Sequence, residues 1–153
     1  MKVLRAEETW QQAGAYYVRI QAMARQYHIT LRQEFDEHDT PQTKYIVLLD
    51  EEFPVATCRF YALGAAAAMI GRVVVLPEYR GRGWAIQLLG YAFWFYENHD
   101  RTAVRLHVSE NNARAITFYR RSGFVQIGRD PGVRAHLLLM GRLIHRTVTH
   151  GTV

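Results

Sequence analysis

The spacing of apolar positions changes several times along the chain, and each change marks an element. Val3 and Leu4 lie in a short first strand over residues 2–6. Thr9 and Gln12 then form a capping-box pattern, and Trp10, Ala13, Tyr17, Ile20, Ala24 and Tyr27 follow at helical spacing. Residues 30–43 are polar and acidic and predict a short helix and a loop. Residues 45–49 and 55–63 read as two strands joined by a turn at 50–54. The β-branched apolar run 70–76 has the pattern of a central strand buried on both faces, and Pro77 ends it. Ala85, Leu88, Leu89, Ala92, Phe93 and Tyr96 make the core stripe of a second helix. Val104, Leu106 and Val108 alternate with Arg105, His107 and Ser109 in a fifth strand. A third main helix spans 112–122, with Arg120 and Arg121 at its negative end and Gly123 as its C-cap. Residues 124–128 and 134–140 read as closing strands, and the polar tail from His145 is expected to fray. No repeat, linker or low-complexity stretch divides residues 1–153, so a single mixed α/β (α+β) domain is predicted.

Composition narrows the function. The 153 residues are 49% hydrophobic and 22% charged, as in a globular domain with a real core. Cys58 is the only cysteine, which excludes an intrachain disulfide and fits a cytoplasmic location. The first residues carry charges where a signal peptide needs an apolar run, and no apolar stretch reaches the ~18 residues of a membrane span. The net charge of +5 calls for an anionic partner, either nucleic acid or a small phosphate-bearing ligand. Lysine occurs only at Lys2 and Lys44, so nearly all the cations are arginines, whose planar fork suits phosphate oxygens.

The place for such a ligand is the run Val73, Val74, Val75, Leu76, Pro77, Glu78, Tyr79, Arg80, Gly81, Arg82, Gly83, Trp84, Ala85. A buried strand, a turn, a glycine-rich loop and a helix start follow one another directly. Amides at a helix start have no intrahelical acceptor, and the helix dipole favours negative charge there. Gly81 and Gly83 lack the Cβ atoms that would hold a pyrophosphate away, while Arg80 and Arg82 add positive charge. A Walker loop is excluded because no Gly-Lys-Ser/Thr follows, and a dinucleotide fingerprint because Gly-x-Gly-x-x-Gly is absent.

Arg80-x-x-Gly83-x-Ala85 resembles the Gln/Arg-x-x-Gly-x-Gly/Ala signature of GNAT acetyltransferases. Asn112-x-x-Ala115-x-x-x-Tyr119, ahead of Gly123-Phe124, is similar to the second motif of that superfamily. Val18-Arg19, Glu34-Phe35-Asp36, Asp39, Ile70-Gly71-Arg72-Val73 and His136 look like the ElaA-type branch. The resemblance implies a mostly antiparallel, mixed, twisted sheet of six to seven strands flanked by helices. It implies acetyl-CoA as co-substrate, with no metal. The amides of Gly81, Arg82, Gly83, Trp84 and Ala85 would hold the CoA pyrophosphate, the backbone of Val73 and Val75 would pair with the pantetheine arm, and a strand amide there would polarise the thioester. Asn112 would bond the arm, Ala115 would leave room for it, and Tyr119 would be the general acid at the sulfur. On the residues alone, Asn112 also reads as a helix N-cap and Tyr119 as a core aromatic beside Phe118.

A base for the attacking amine has more than one source. His107 stands where some members of the superfamily carry a glutamate on the fifth strand. An imidazole with a reference pKa near 6.5 accepts a proton at neutral pH. Glu34, Asp36 and Asp39 are rival candidates and, with His136, line the expected acceptor site, where their charge would attract a cationic amine. The implied function is transfer of an acetyl group to a primary amine by direct attack. A silent CoA-binding module and a basic nucleic-acid-binding domain are the alternatives; Tyr119 argues against the first and the scattered arginines against the second. Trp84, Tyr91, Trp94 and Phe95 lie off the core stripe of the second helix and predict a homodimer.

Overall fold

In a computed structural model of the chain, residues 1–97 and 102–144 are described. His99 and the tail from His145 lie outside the described residues. Seven strands form one sheet: β1 (Lys2–Arg5), β2 (Lys44–Asp50), β3 (Phe53–Leu63), β4 (Ala67–Val75), β5 (Ala103–Ser109), β6 (Val125–Arg129) and β7 (Leu137–Leu143). Their order is β1-β2-β3-β4-β5-β7-β6. Only β4 and β5 run parallel; the other neighbours are antiparallel.

Two helices, α3 (Trp84–Glu97) and α4 (Ala113–Arg121), pack on one face. Leu88, Leu89, Ala92, Phe95 and Tyr96 of α3 meet Ile46, Cys58, Phe60, Ile70 and Leu106 of the sheet in the main core. Helix α1 (Thr9–Arg19), extended by a π-helical turn over Ile20–Arg25, packs on the other face against β2, β3 and β4. A short α2 (Leu31–Glu34) follows, capped by Thr30 and Gln33, which hydrogen-bond each other's backbone.

Several local expectations shift. The cap of α1 falls one residue earlier, with Gln11 Oε1 accepting from the Glu7 and Glu8 amides. The buried face of α1 is Gly14, Ala15, Val18 and Arg19, whereas Trp10 and Tyr17 are exposed. Small residues face the sheet because the approach is close: a Cβ on Gly14 would stand 3.2 Å from Pro54 Cβ. A short helical turn at Gly132–Arg134 precedes β7, so His136 lies just before the strand. Phe95 belongs to the core, packed on Phe60 and Tyr96, while Trp84 and Tyr91 are half-buried and Trp94 is 57% exposed. The helix therefore leaves a smaller apolar surface for a partner than its sequence pattern implies.

Candidate functional site

The parallel pair determines where a ligand can enter. β4 and β5 are bonded only through Ala67, Ala68 and Met69 against Ala103, Val104 and Arg105. Beyond these rungs β4 runs on to Val75 and β5 to Ser109 without pairing to each other, and the sheet opens into a slot. On its far side β4 carries a bulge: Arg59 pairs with Gly71 and Thr57 with Val74, and Arg72 takes φ +49°. A residue inserted on one strand bends it and increases its twist, which moves β4 off a regular ladder. Val73 and Val75 pack towards the main core, while Val74 faces α1 with Val18, Ala22 and Leu76.

The glycine loop sits at the mouth of the slot. Gly81 and Gly83 both adopt φ +78°, a left-handed conformation that side chains with a Cβ reach only at a cost. A Cβ added at either would meet no atom within 4 Å, so the space before these amides is open. Arg80, although exposed, is held by two bonds: Nε donates to Val75 O at 3.0 Å and Nη2 to Gln26 Oε1 at 3.0 Å. It straps the loop to β4 and to the end of the first helical segment. Arg82 is exposed, its guanidinium 5.7 Å from the centre of the Tyr79 ring, and Tyr79 donates to Asp50 Oδ2. The Trp84 indole N–H is buried beside the loop without an acceptor among the described residues.

Helix α4 is strongly amphipathic, yet none of its residues is fully buried. Ala115, Ile116, Phe118 and Tyr119 touch the core only in part. A cleft of about 830 Å³ separates α3 from α4, lined by Leu89, Gly90, Phe93, Arg114, Thr117 and Phe118 among others. Asn112 caps α4 with Oδ1 accepting from the Ala115 amide at 3.1 Å, which leaves its side-chain NH2 without a partner among the described residues. The Tyr119 ring lies edge-on to Phe118 and Phe124, with centroids 5.3 and 5.7 Å away. Burial, with a smaller contribution from Cys58, pushes its phenol up to about 12, so it stays protonated at neutral pH. Burial likewise pushes the fully buried Cys58 thiol up to about 12, which keeps it neutral and unreactive. The open glycine loop, the orphaned indole N–H and the loosely packed α4 together fit a long phosphate-bearing ligand.

On the opposite face of β5, His107 Nε2 stands 2.8 Å from Asp130 Oδ1. Alternation along the strand puts Leu106 and Val108 in the core beneath α4 and His107 on the other side, so His107 and Tyr119 flank the slot from opposite faces. Asp130, after β6, carried no local signal in the sequence.

The acidic segment is largely enclosed. Glu34 and Arg19 are buried, with Arg19 Nε donating to Glu34 Oε1 at 3.0 Å. Arg19 Nη1 donates to Asp39 Oδ1 at 2.6 Å, and Arg59 Nη1 to Asp36 Oδ1 and Asp39 Oδ2 at 2.8 and 2.9 Å. Arg72, at the bulge, donates from Nη2 to Asp36 Oδ2 at 3.2 Å and from Nε to the Glu34 carbonyl. Glu34, Asp36 and Asp39 thus face Arg19, Arg59 and Arg72, and the network is close to neutral. In place of a free acidic rim, these carboxylates anchor the α2 segment to the bulged strand. His136 is exposed, and its carbonyl accepts from the Glu110 amide.

Residues 6–124 match the family model described as the acetyltransferase (GNAT) family. An uncharacterized acetyltransferase of Streptococcus pyogenes serotype M1 is 29% identical over 98 residues, 64% of this chain and 67% of the relative. The crystal structure of a Lactobacillus plantarum protein assigned as an N-acetyltransferase superposes with a TM-score of 0.83 at 27% identity, over 94% of this chain and 98% of that one. Escherichia coli ElaA shares the fold with a TM-score of 0.75 at 20% identity, over 92% and 98% of the two chains.

Proposed function

Because the chain belongs to the GNAT acetyltransferase family, we propose that it transfers the acetyl group of acetyl-CoA to the primary amine of a small molecule or peptide by direct attack, without an acyl-enzyme. The observation that carries this reading is the slot between β4 and β5, which gives a thioester two accessible sides with Tyr119 on one and His107 on the other.

The residues divide the work as follows. The amides of Gly81, Arg82, Gly83, Trp84 and Ala85 take the pyrophosphate, with Arg82 supplying a mobile charge and Arg80 holding the loop in place. The edge of β4 at Val73 and Val75, which β5 does not pair, and the side-chain NH2 of Asn112 bind the arm. An amide at the β4 bulge polarises the thioester carbonyl, the role of an oxyanion donor. His107, with a proton on the nitrogen facing Asp130, keeps a lone pair on Nδ1 and receives the amine proton. As the nitrogen–carbon bond forms and the carbon–sulfur bond breaks, Tyr119 gives its proton to the departing sulfur. Glu34, Asp36 and Asp39 build the acceptor wall through Arg72, and His136 stands at its rim.

Calorimetry tests the cofactor half. Acetyl-CoA is expected to bind in the micromolar range, about −8 kcal/mol. Arg82→Ala is expected to weaken CoA more than dephosphorylated pantetheine. Equal losses for the two ligands would remove the phosphate role of the loop.

A further inference from the structure

We infer that Arg105 recognises a carboxylate on the acceptor, and that the acceptor is an α-amino acid with an apolar side chain. This rests on the acetyl-transfer reading above and names the substrate class of the same site.

Arg105 is half-buried on β5 and has no hydrogen-bond or ion-pair partner among the described residues. Several other arginines of the sheet and α1 are paired. Arg19, Arg59 and Arg72 pair with carboxylates of the acidic segment, Arg129 with Glu110, and Arg142 Nη1 donates to the Ser122 carbonyl. A guanidinium without a protein acceptor keeps its donors for a ligand, and its planar fork fits a carboxylate.

Its place is specific. Arg105 pairs with Met69, the last rung before β4 and β5 part, so it stands at the root of the slot. It shares a face with His107, two residues further on and about 7 Å away along the strand. An α-amino acid carries its nitrogen and carboxylate on one carbon, within about 4 Å of each other. A long arginine side chain closes the remaining gap, so one small molecule can present its amine to His107 and its carboxylate to Arg105.

The rest of the acceptor has a surface to lie on. On the face of the sheet away from α4, a trough of about 530 Å³ runs from Arg105 across β7 to β6, bordered by Ala103, Val125, Ile127, Gly141 and Leu143. Apart from Arg105 and Arg142, whose guanidinium turns away to Ser122 and Phe93, the lining is apolar, so it suits a hydrocarbon side chain. Charge agrees. With the acidic wall neutralised by its own arginines, Arg105 brings a cation without an ion pair among the described residues to the strand that carries His107, which repels a polyamine and draws a zwitterion by its carboxylate.

The test uses the full chain with acetyl-CoA and thiol release. Acceptors are phenylalanine, leucine and methionine, their carboxamides, and the matching decarboxylated amines. The free amino acids are expected to exceed their amides in kcat/KM by about 10- to 100-fold, the effect of one charge-assisted pair, chiefly through KM. Arg105→Gln should bring that ratio close to one, and Arg105→Lys should restore part of it. Should Arg105→Gln misfold, the wild-type comparison of acids with amides decides alone. Equal rates for acids and amides, or transfer to the amines only, overturn the carboxylate assignment while leaving an active acetyltransferase. Transfer to none of these compounds, with acetyl-CoA binding intact by calorimetry, overturns the acceptor class alone. Failure to bind acetyl-CoA overturns the transferase reading beneath it.

Discussion

Tyr119 and His107 flank the slot from opposite faces of β5, and in the proposed reaction they act on different protons, so they separate experimentally. Tyr119→Phe keeps the ring contacts with Phe118 and Phe124, so folding and acetyl-CoA binding should persist. Loss of a general acid costs about 10² to 10⁴ in rate, and kcat at saturating substrates should fall by that factor. Because the phenol is pushed up to about 12, wild-type activity should show no alkaline loss from this group below about pH 11. His107→Gln should instead remove the acceptor of the amine proton, lowering kcat while leaving acetyl-CoA binding intact. Wild-type kcat in Tyr119→Phe would return that position to a packing role.

At the scale of elements, the proposed CoA site is built by the glycine loop and α4 together. Gly83 is the sharpest probe, because the surroundings would admit a Cβ while the backbone angle and the amide face would not. Gly83→Ala should cost about 1–2 kcal/mol in the left-handed region. It should also weaken CoA by about tenfold, the equivalent of one net hydrogen bond. Calorimetry reads the second effect and a thermal melt the first. Unchanged CoA affinity would mean that the amides of this loop do not approach the phosphates. The loose seating of α4 has the same logic. A strongly amphipathic helix without a fully buried residue leaves apolar surface for a ligand to cover. Bound CoA should therefore raise the melting temperature by mass action.

At the scale of the molecule, the charge network of Arg19, Glu34, Asp36, Asp39, Arg59 and Arg72 joins α1, the α2 segment, β3 and β4. Burial works to raise the Asp39 carboxyl, but hydrogen bonds from Arg19 and Tyr45 outweigh it and hold the group well below the ordinary carboxylate range. Asp36 is lowered too, against its own burial, chiefly by Arg59. Groups depressed in the folded state stabilise it above the unfolded pKa of about 3.9 and lose that contribution as pH falls towards their folded values. Thermal stability should therefore decline below about pH 4. Asp39→Asn leaves buried arginines under-paired and should cost about 3 kcal/mol at neutral pH, near 10 °C in melting temperature. Its stability should also vary less with pH between about 4 and 2 than that of the wild type. A variant that melts with the wild-type pH profile would remove Asp39 from this role.

Much of the architecture was legible in the chain because it depends on short-range rules. Period-two and period-3.6 patterns marked the strands and the larger helices. The order of strand, proline, glycine loop and helix announced an anion site, and Asn112 to Tyr119 was readable as one helix face. Only the tertiary structure decided what depends on residues far apart meeting. The aromatic spacing of α1 pointed outward because close approach to the sheet requires Gly14, Ala15 and Val18 there. Arg80 reads in the sequence as a charge beside the phosphates, and only the fold adds its bonds to Val75 and Gln26, which strap the loop. The carboxylates of the α2 segment look solvated in sequence, since the arginines that neutralise them come from positions 19, 59 and 72. The partner of His107 and the place of Arg105 at the root of the slot follow from the order of β4, β5, β7 and β6. Local periodicity reports which side of an element is apolar; which charge each side chain meets is a property of the assembled sheet.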